Sequence, residues 1–220
     1  MIVIATNNGK KYLIELLYDL KKIGVKEEIA VIDTQSTDIE SLEFLESLKN
    51  NNDFDLKISV HTTPYRGFDT GAYIYAINNL SADKFYFMQD SIKIKSNDYF
   101  NAIDKKLKNG TVVPLITFGP HLYDENEQIN FCYENFESIE YDKGIFGPIF
   151  AITNSDAQKI DKKYLVYPTN KMLQMGMERG WSILFKKYAF EIDSLEGDYN
   201  YEKLINDGYT YFKKYLPYRR

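Results

Sequence analysis

The residues best suited to binding ions or phosphates each come just after a short apolar run. These residues are Thr6, Asp33, Arg66 and Asp90. Carboxylate oxygens are the ligands that Mg²⁺ and Mn²⁺ prefer, and the planar guanidinium of arginine matches phosphate oxygens. With one cysteine and two histidines, the chain gives little support to Cys-His or Ser-His-Asp arrangements. Its chemistry is therefore expected from carboxylates, amides, an arginine and a bound cation.

The elements that position these residues form a regular pattern in the first half of the chain. Apolar runs at residues 2–6, 29–33, 56–62 and 84–88 predict strands, and residues 12–20, 42–48 and 72–77 show helical spacing. Continuous apolar strands separated by helices predict an α/β fold with a mostly parallel central sheet flanked by helices. Ligands of such sheets bind beyond the carboxyl ends of the strands, so the polar residues are expected to share a crevice.

The second half is less regular. Its pattern predicts strands at residues 112–118, 129–136 and 147–153, with helices at residues 99–107, 169–188 and 201–215. Gly176 and Gly180 are expected to interrupt the long helix at 169–188. No repeat, low-complexity linker or composition shift divides the chain, so a single domain over residues 1–220 is predicted.

Composition excludes several classes of partner. The net charge is −5 and the basic residues are scattered, which argues against nucleic acid. Lys213, Lys214, Arg219 and Arg220 form a basic end, predicted to be a solvated tail. No apolar stretch is long enough for a transmembrane segment, and the first residues lack the features of a signal peptide. A lone cysteine, Cys132, predicts a buried side chain in a reducing, cytoplasmic compartment.

Several familiar motifs are absent, and a different combination is present. The sequence has no G-x-G-x-x-G after its first strand, no P-loop, no CxxC and no HExxH. It has, in order, Asp33-x-x-Ser36-x-Asp38, then Gly67-Phe68-Asp69-x-Gly71-Ala72, then Phe87-Met88-Gln89-Asp90-Ser91. This order resembles glycosyltransferases of the GT-A fold, most closely the family 2 and rhamnan-synthesis-type branches. The similarity covers residues 1–100, and the later residues only by layout.

The resemblance implies a nucleotide diphosphate sugar donor, such as a UDP-, GDP- or TDP-sugar, bound mainly by residues 1–95. Asp90 would occupy the second acidic position of the family's D-x-D motif and hold Mn²⁺ or Mg²⁺, with Met88 at the first. The donor would be bound by the following residues: Thr6, Asp33, Arg66, Gly67, Asp69 and Gln89. The ion would act as a Lewis acid on the diphosphate. His121 would be a further metal ligand.

Residues 96–220 would then form the acceptor side, where a glycan hydroxyl attacks the anomeric carbon. An inverting transfer needs a carboxylate to take the proton of that hydroxyl, and Glu178 fits the family layout. Trp181, the only tryptophan, is a candidate for stacking on a sugar face. The acidic run of Asp124, Glu125 and Glu127 is instead expected to be a solvated loop.

Two other functions remain open from the sequence. A sugar nucleotidyltransferase would carry a Gly-rich basic loop after the first strand, and residues 7–11 (NNGKK) only partly match one. A GT-A-like domain that binds a sugar or nucleotide without turnover is favoured by Met88, which replaces an acid.

Overall fold

The computed structural model describes residues 1–50, 53–66, 68–120, 125–206 and 208–215. The strands are β1 Ile2–Thr6, β2 Ile29–Asp33, β3 Ile58–Thr62, β4 Lys84–Gln89, β5 Ile92–Ile94, β6 Thr111–Pro114, β7 Thr117–Phe118, β8 Gly144–Ile145, β9 Phe150–Thr153, β10 Glu191–Ile192 and β11 Phe212–Lys214. The helices are α1 Lys10–Lys22, α2 Ile39–Asn50, α3 Phe68–Asn79, α4 Tyr99–Lys106, α5 Asn126–Phe136, α6 Asn154–Ala157, α7 Lys171–Lys187 and α8 Tyr201–Ile205. None of these helices is long and apolar enough to cross a membrane.

Seven of the strands form one central sheet in the order β10-β6-β9-β4-β1-β2-β3. β9 runs antiparallel to both β4 and β6, and every other pair in this sheet is parallel. The predicted α/β fold with a mostly parallel sheet is confirmed. The register pairs Thr6 with Asp33, and Ala5 with Gln89, so β1, β2 and β4 end at the same edge.

Helices cover both faces of the sheet, which explains why its inner strands are apolar on both sides. On one face, Val3 and Ala5 of β1 belong to a core that includes residues of α3, α5 and α7. On the other face, Ile2 and Ile4 belong to a core with residues of α1, α2 and α4. The alternation of neighbouring residues between two cores is the period of a strand buried on both sides.

The predicted strand at residues 129–136 is wrong, because this segment is helix α5. Its buried residues are Gln128, Phe131, Cys132 and Phe136, which recur at helical spacing and face α7. Glu125 and Gln128 form a capping box that fixes the start of the helix. Aromatic residues such as Phe131 and Tyr133 are also common in strands, so composition and helical spacing point to different elements here.

Gly176 and Gly180 do not break α7; they allow α5 to approach it closely. A Cβ at Gly180 would lie 2.7 Å from Cζ of Phe136, and one at Gly176 would lie 3.0 Å from Cδ1 of Phe131. The predicted strand at residues 112–118 is divided into β6 and β7, which pair with different partners.

The predicted final helix at residues 201–215 is also wrong. Helix α8 ends at Ile205, and the chain then forms β11, antiparallel to β5. Phe212 pairs with Ile94, and Lys214 with Ile92. Because this pairing joins residues more than a hundred positions apart, local sequence patterns do not reveal it. The consequence is that the last described residues return to the edge where β4 ends.

Candidate functional site

A cavity of about 500 Å³ opens where β1 and β4 end. Its walls come from the loop after β1, the first turn of α3, the end of β4, the segment before β9, one side of α7, and β11. The residues that line it are Asn7, Asn8, Gly9, Tyr12, Phe68, Asp69, Gln89, Asp90, Ser91, Phe146, Gly147, Pro148, Lys171, Gln174, Met175, Glu178, Lys214 and Tyr215. The cavity thus lies at the edge of the sheet that the sequence pattern indicated.

Asp90 is tied to the end of β1. The Thr6 hydroxyl donates to Oδ2 of Asp90 at 2.7 Å, and the Asp90 amide donates to the Ala5 carbonyl at 3.1 Å. Burial raises the pKa of the Asp90 carboxyl to about 7, and the nearby Asp69 raises it further, against the lowering effect of the Thr6 hydroxyl and backbone N–H groups. Asp90 therefore changes its charge close to neutral pH.

Position 9 requires a glycine because it lies against the Asp90 carboxyl group. A Cβ at Gly9 would overlap the Asp90 carboxylate and would lie 2.9 Å from Oγ1 of Thr6. The absence of a side chain lets the first turn of α1 approach the carboxyl group. The glycine of the NNGKK segment therefore has a packing role beside Asp90.

A chain of hydrogen bonds joins two more acids of the cavity. Nε2 of Gln89 donates to Asp69 and, at 2.7 Å, to the carbonyl of Gly147. The amide of Gly147 donates to Oε1 of Glu178 at 3.0 Å. Asp69 and Glu178, which lie on different helices, are thus linked through the Gln89 side chain and the backbone N–H and C=O of one residue, Gly147.

Burial raises the pKa of both of these acids. For Asp69 the effect is opposed by Lys214, Lys171 and the Gln89 hydrogen bond. For Glu178 it is opposed by Lys214, Arg179 and the Gly147 amide. A carboxylate with a raised pKa is a stronger base at neutral pH than an exposed one, so Glu178 is suited to accept a proton.

Lys214 is the cationic side chain that sequence analysis missed. Its pairing on β11 brings it into the cavity, and burial lowers the pKa of its ammonium group, against the opposing effect of Asp69, Glu178 and Asp90. The prediction of a solvated basic tail is therefore wrong for Lys214. Arg219 and Arg220 lie outside the described residues.

Asp33 and Arg66 are not among the residues that line the cavity. Oδ1 of Asp33 accepts the Ser36 amide at 2.9 Å, which closes the turn after β2. Arg66 is exposed. The predicted donor contact Gly67 lies outside the described residues.

Of the remaining residues singled out in the sequence, those that the structure describes do not line the cavity. Trp181 is fully buried in the core, with its ring centroid 5.2 Å from that of Phe150, so its predicted stacking on a sugar is wrong. Glu127 accepts a hydrogen bond from Asn170 at 3.1 Å and, with the capping residue Glu125, belongs to the start of α5 instead of a loop. His121 and Asp124 lie outside the described residues.

The metal-binding side chains of the cavity suit a divalent ion that binds together with a ligand better than an ion that the protein alone would hold. Among the described residues, no group of three or more His, Cys, Asp or Glu side chains is arranged to hold a metal. Met88 is 1% exposed and packs in the core, so the first position of the predicted motif does not face the cavity. Asp90 offers one carboxylate, and diphosphate oxygens and water would complete the shell of a Mg²⁺ or Mn²⁺ ion. The residues therefore fit a divalent ion whose coordination shell is completed by the ligand.

Solved structures with a similar fold include sugar-nucleotide enzymes. Residues 1–349 of S. aureus TarS, in complex with UDP-GlcNAc, superpose with a TM-score of 0.54 at 16% identity, over 100% of this chain and 59% of that one. The mannosyltransferase PcManGT from Pyrobaculum calidifontis, in complex with GDP-Man and Mn²⁺, gives 0.57 at 12% identity, over 88% and 53%. The chain thus spans little more than half of each of these two solved chains, and 36% of a longer TarS structure.

A nucleotidyl transferase from Methanothermobacter is similar over nearly its whole length. It has a TM-score of 0.53 at 10% identity, over 94% of this chain and 91% of that one. No protein-family model and no curated protein matches the sequence. At these identities the comparisons establish the fold, and the predicted GT-A fold is confirmed.

Proposed function

We propose that this protein is a glycosyltransferase that moves a sugar from a nucleotide diphosphate sugar to a hydroxyl of a glycan acceptor. One observation carries the proposal: Asp90 and Glu178, both largely but not fully buried, line the same cavity at the carboxyl edge of a GT-A sheet. Such a cavity has a group for the leaving diphosphate and a group for the attacking hydroxyl. Both are needed for sugar transfer.

For the donor, the proposal covers UDP-, GDP- and TDP-sugars. It is supported by the similar folds that were solved with UDP-GlcNAc and GDP-Man. Thr6, Asp69 and Gln89 would support the donor through the contacts that position Asp90 and Gly147. The roles of Asp33, Arg66 and Gly67 toward the nucleotide remain predictions that rest on their places after β2 and before α3.

A Mn²⁺ or Mg²⁺ ion, when bound, would neutralise charge on the diphosphate as a Lewis acid. Asp90 would hold it, and Thr6 would orient the Asp90 carboxylate through their 2.7 Å hydrogen bond. The similar mannosyltransferase was solved with Mn²⁺, which supports a divalent ion for this fold.

Glu178 would act as the base of an inverting transfer. The acceptor oxygen forms a bond to the anomeric carbon, the bond from that carbon to the diphosphate oxygen breaks, and the hydroxyl proton passes to Glu178. The Gly147 amide, 3.0 Å from Oε1, fixes the orientation of the carboxylate. Its raised pKa improves proton transfer near neutral pH.

Isothermal titration calorimetry with UDP-, GDP- and TDP-sugars, with and without Mn²⁺, tests the proposal. We expect binding of at least one of these sugars with Mn²⁺, together with slow release of the nucleoside diphosphate. Failure to bind any of them would overturn the proposal. Binding without any hydrolysis or transfer would favour a domain that only binds its ligand.

The second candidate function is that of a sugar nucleotidyltransferase, which the near full-length similarity to the Methanothermobacter structure favours. Such an enzyme would release pyrophosphate from a nucleoside triphosphate and a sugar phosphate. In this protein the loop after β1 is bonded to the loop after β2, where Oδ1 of Asn8 accepts the Thr37 amide at 2.8 Å. Pyrophosphate release in place of sugar transfer would establish this function.

A further inference from the structure

The ammonium group of Lys214 lies inside the candidate site. Nζ stands beside Gly147, where a Cβ would overlap it, and lies 5.2 Å from the centroid of the Phe146 ring. Gly147 has a φ of 61°, a conformation that glycine adopts without strain. Gly147, whose backbone contacts both Gln89 and Glu178, is therefore also the residue that makes room for Lys214.

The charges around Lys214 come from three elements. Asp69 on α3, Glu178 on α7 and Asp90 after β4 all interact with it electrostatically. Lys171, at the start of α7, adds a second positive charge on the cavity wall and is exposed. Three acids alone would repel a diphosphate, so a cation among them changes which ligands the cavity accepts.

Lys214 differs from lysines of this protein that serve as counter-ions. Lys106 and Lys159 each lie 2.6 Å from a carboxylate oxygen, of Asp193 and Asp156 respectively. Within the described ranges, the ammonium group of Lys214 makes no ion pair within 4 Å and no hydrogen bond, although three acids interact with it electrostatically. Burial of an ammonium group without close partners is unfavourable, and an anionic ligand would remove that cost.

We infer that Lys214 binds the diphosphate of the nucleotide-sugar donor and stabilises it as it leaves. When the anomeric carbon–oxygen bond breaks, its electron pair stays on the diphosphate, and the ammonium group keeps its protons while it donates hydrogen bonds to phosphate oxygens. The inference rests on the proposed function. It adds a cation that belongs to the chain itself, beside any ion at Asp90.

Calorimetry in EDTA separates the lysine from the metal. The diphosphates UDP, GDP and TDP and the monophosphates UMP, GMP and TMP are titrated into the wild type, Lys214→Met and the control Lys213→Met, which alters a neighbouring lysine of β11 outside the cavity lining. We expect Lys214→Met to weaken binding of the diphosphate by about tenfold to a hundredfold, as for the loss of a charged hydrogen bond. Monophosphate binding should change less than threefold, and Lys213→Met should change neither.

Thermal unfolding shows whether each variant is folded, and Lys214→Gln replaces Lys214→Met if the latter does not fold. An unchanged preference for the diphosphate in both Lys214 variants would overturn the inference and leave the proposed function standing. A loss in Lys171→Met alone would overturn it too. If the wild type binds none of the nucleotides, with or without Mn²⁺, the proposed function fails and the inference fails with it.

Discussion

The raised pKa of Asp90 makes a quantitative prediction about stability. The carboxyl pKa is about 7 in the folded protein and 3.8 in an ordinary environment. The folded protein holds this proton more tightly than the unfolded chain does. The contribution of Asp90 to the free energy of unfolding therefore falls as pH rises from about 4 and becomes level above about 7. At 1.36 kcal/mol per pKa unit the full effect is about 4 kcal/mol, and water in the cavity would lower it to about 2.

Asp90→Asn removes this titration while its amide oxygen can still accept the Thr6 hydroxyl. We expect the variant to match the wild type near pH 4 and to exceed its free energy of unfolding by about 2–4 kcal/mol at pH 8. Urea unfolding of both proteins across this range measures the difference. In a chain of this length, the corresponding shift in melting temperature is roughly 5–15 °C. A difference that does not vary with pH would refute the raised pKa of the Asp90 carboxyl group.

Three further predictions concern other parts of the site and core. Glu178→Gln should lower transfer or donor hydrolysis at least about a hundredfold with little change in donor affinity, measured by steady-state kinetics and calorimetry; an equal loss in both would mark Glu178 as structural. Gly9→Ala should destabilise the protein by about 1–3 kcal/mol in urea unfolding, since its methyl group would overlap Asp90; unchanged stability would contradict this contact. Trp181→Phe should leave donor affinity unchanged and lower the melting temperature, because the side chain is buried in the core. A loss of sugar binding without a loss of stability would instead show that Trp181 stacks on the sugar.

The first half of the fold could be predicted because its signals are local. Strands β1, β2 and β4 are apolar on both faces, and each ends at a polar residue, so their parallel arrangement and common edge could be predicted from the sequence. The contact between Thr6 and Asp90 follows from this edge. The predicted role of Trp181 required a side chain that faces the cavity, and the packing directs it into the core.

The second half could be predicted only in part: helices α4 and α7 and strand β9 lie within the predicted segments, but the remaining structure depends on pairings between distant segments. Lys214 sits in a basic, polar sequence that is typical of a tail, and only the pairing of β11 with β5 places it beside Asp69 and Glu178. No local sequence pattern indicates that Gly147 contacts Gln89 and Glu178. The signal that was available was the spacing of Gln128, Phe131 and Cys132, which indicates a helix.

The most direct test of the central claim follows release of the nucleoside diphosphate from each of the three donor classes in the presence of Mn²⁺. Wild type and Glu178→Gln are compared at donor concentrations above the dissociation constant measured by calorimetry. We predict that the wild type releases the nucleoside diphosphate from one donor class, and that Glu178→Gln binds this donor equally well but releases it far more slowly. Equal rates in the two proteins, or no release from any donor, would contradict the account.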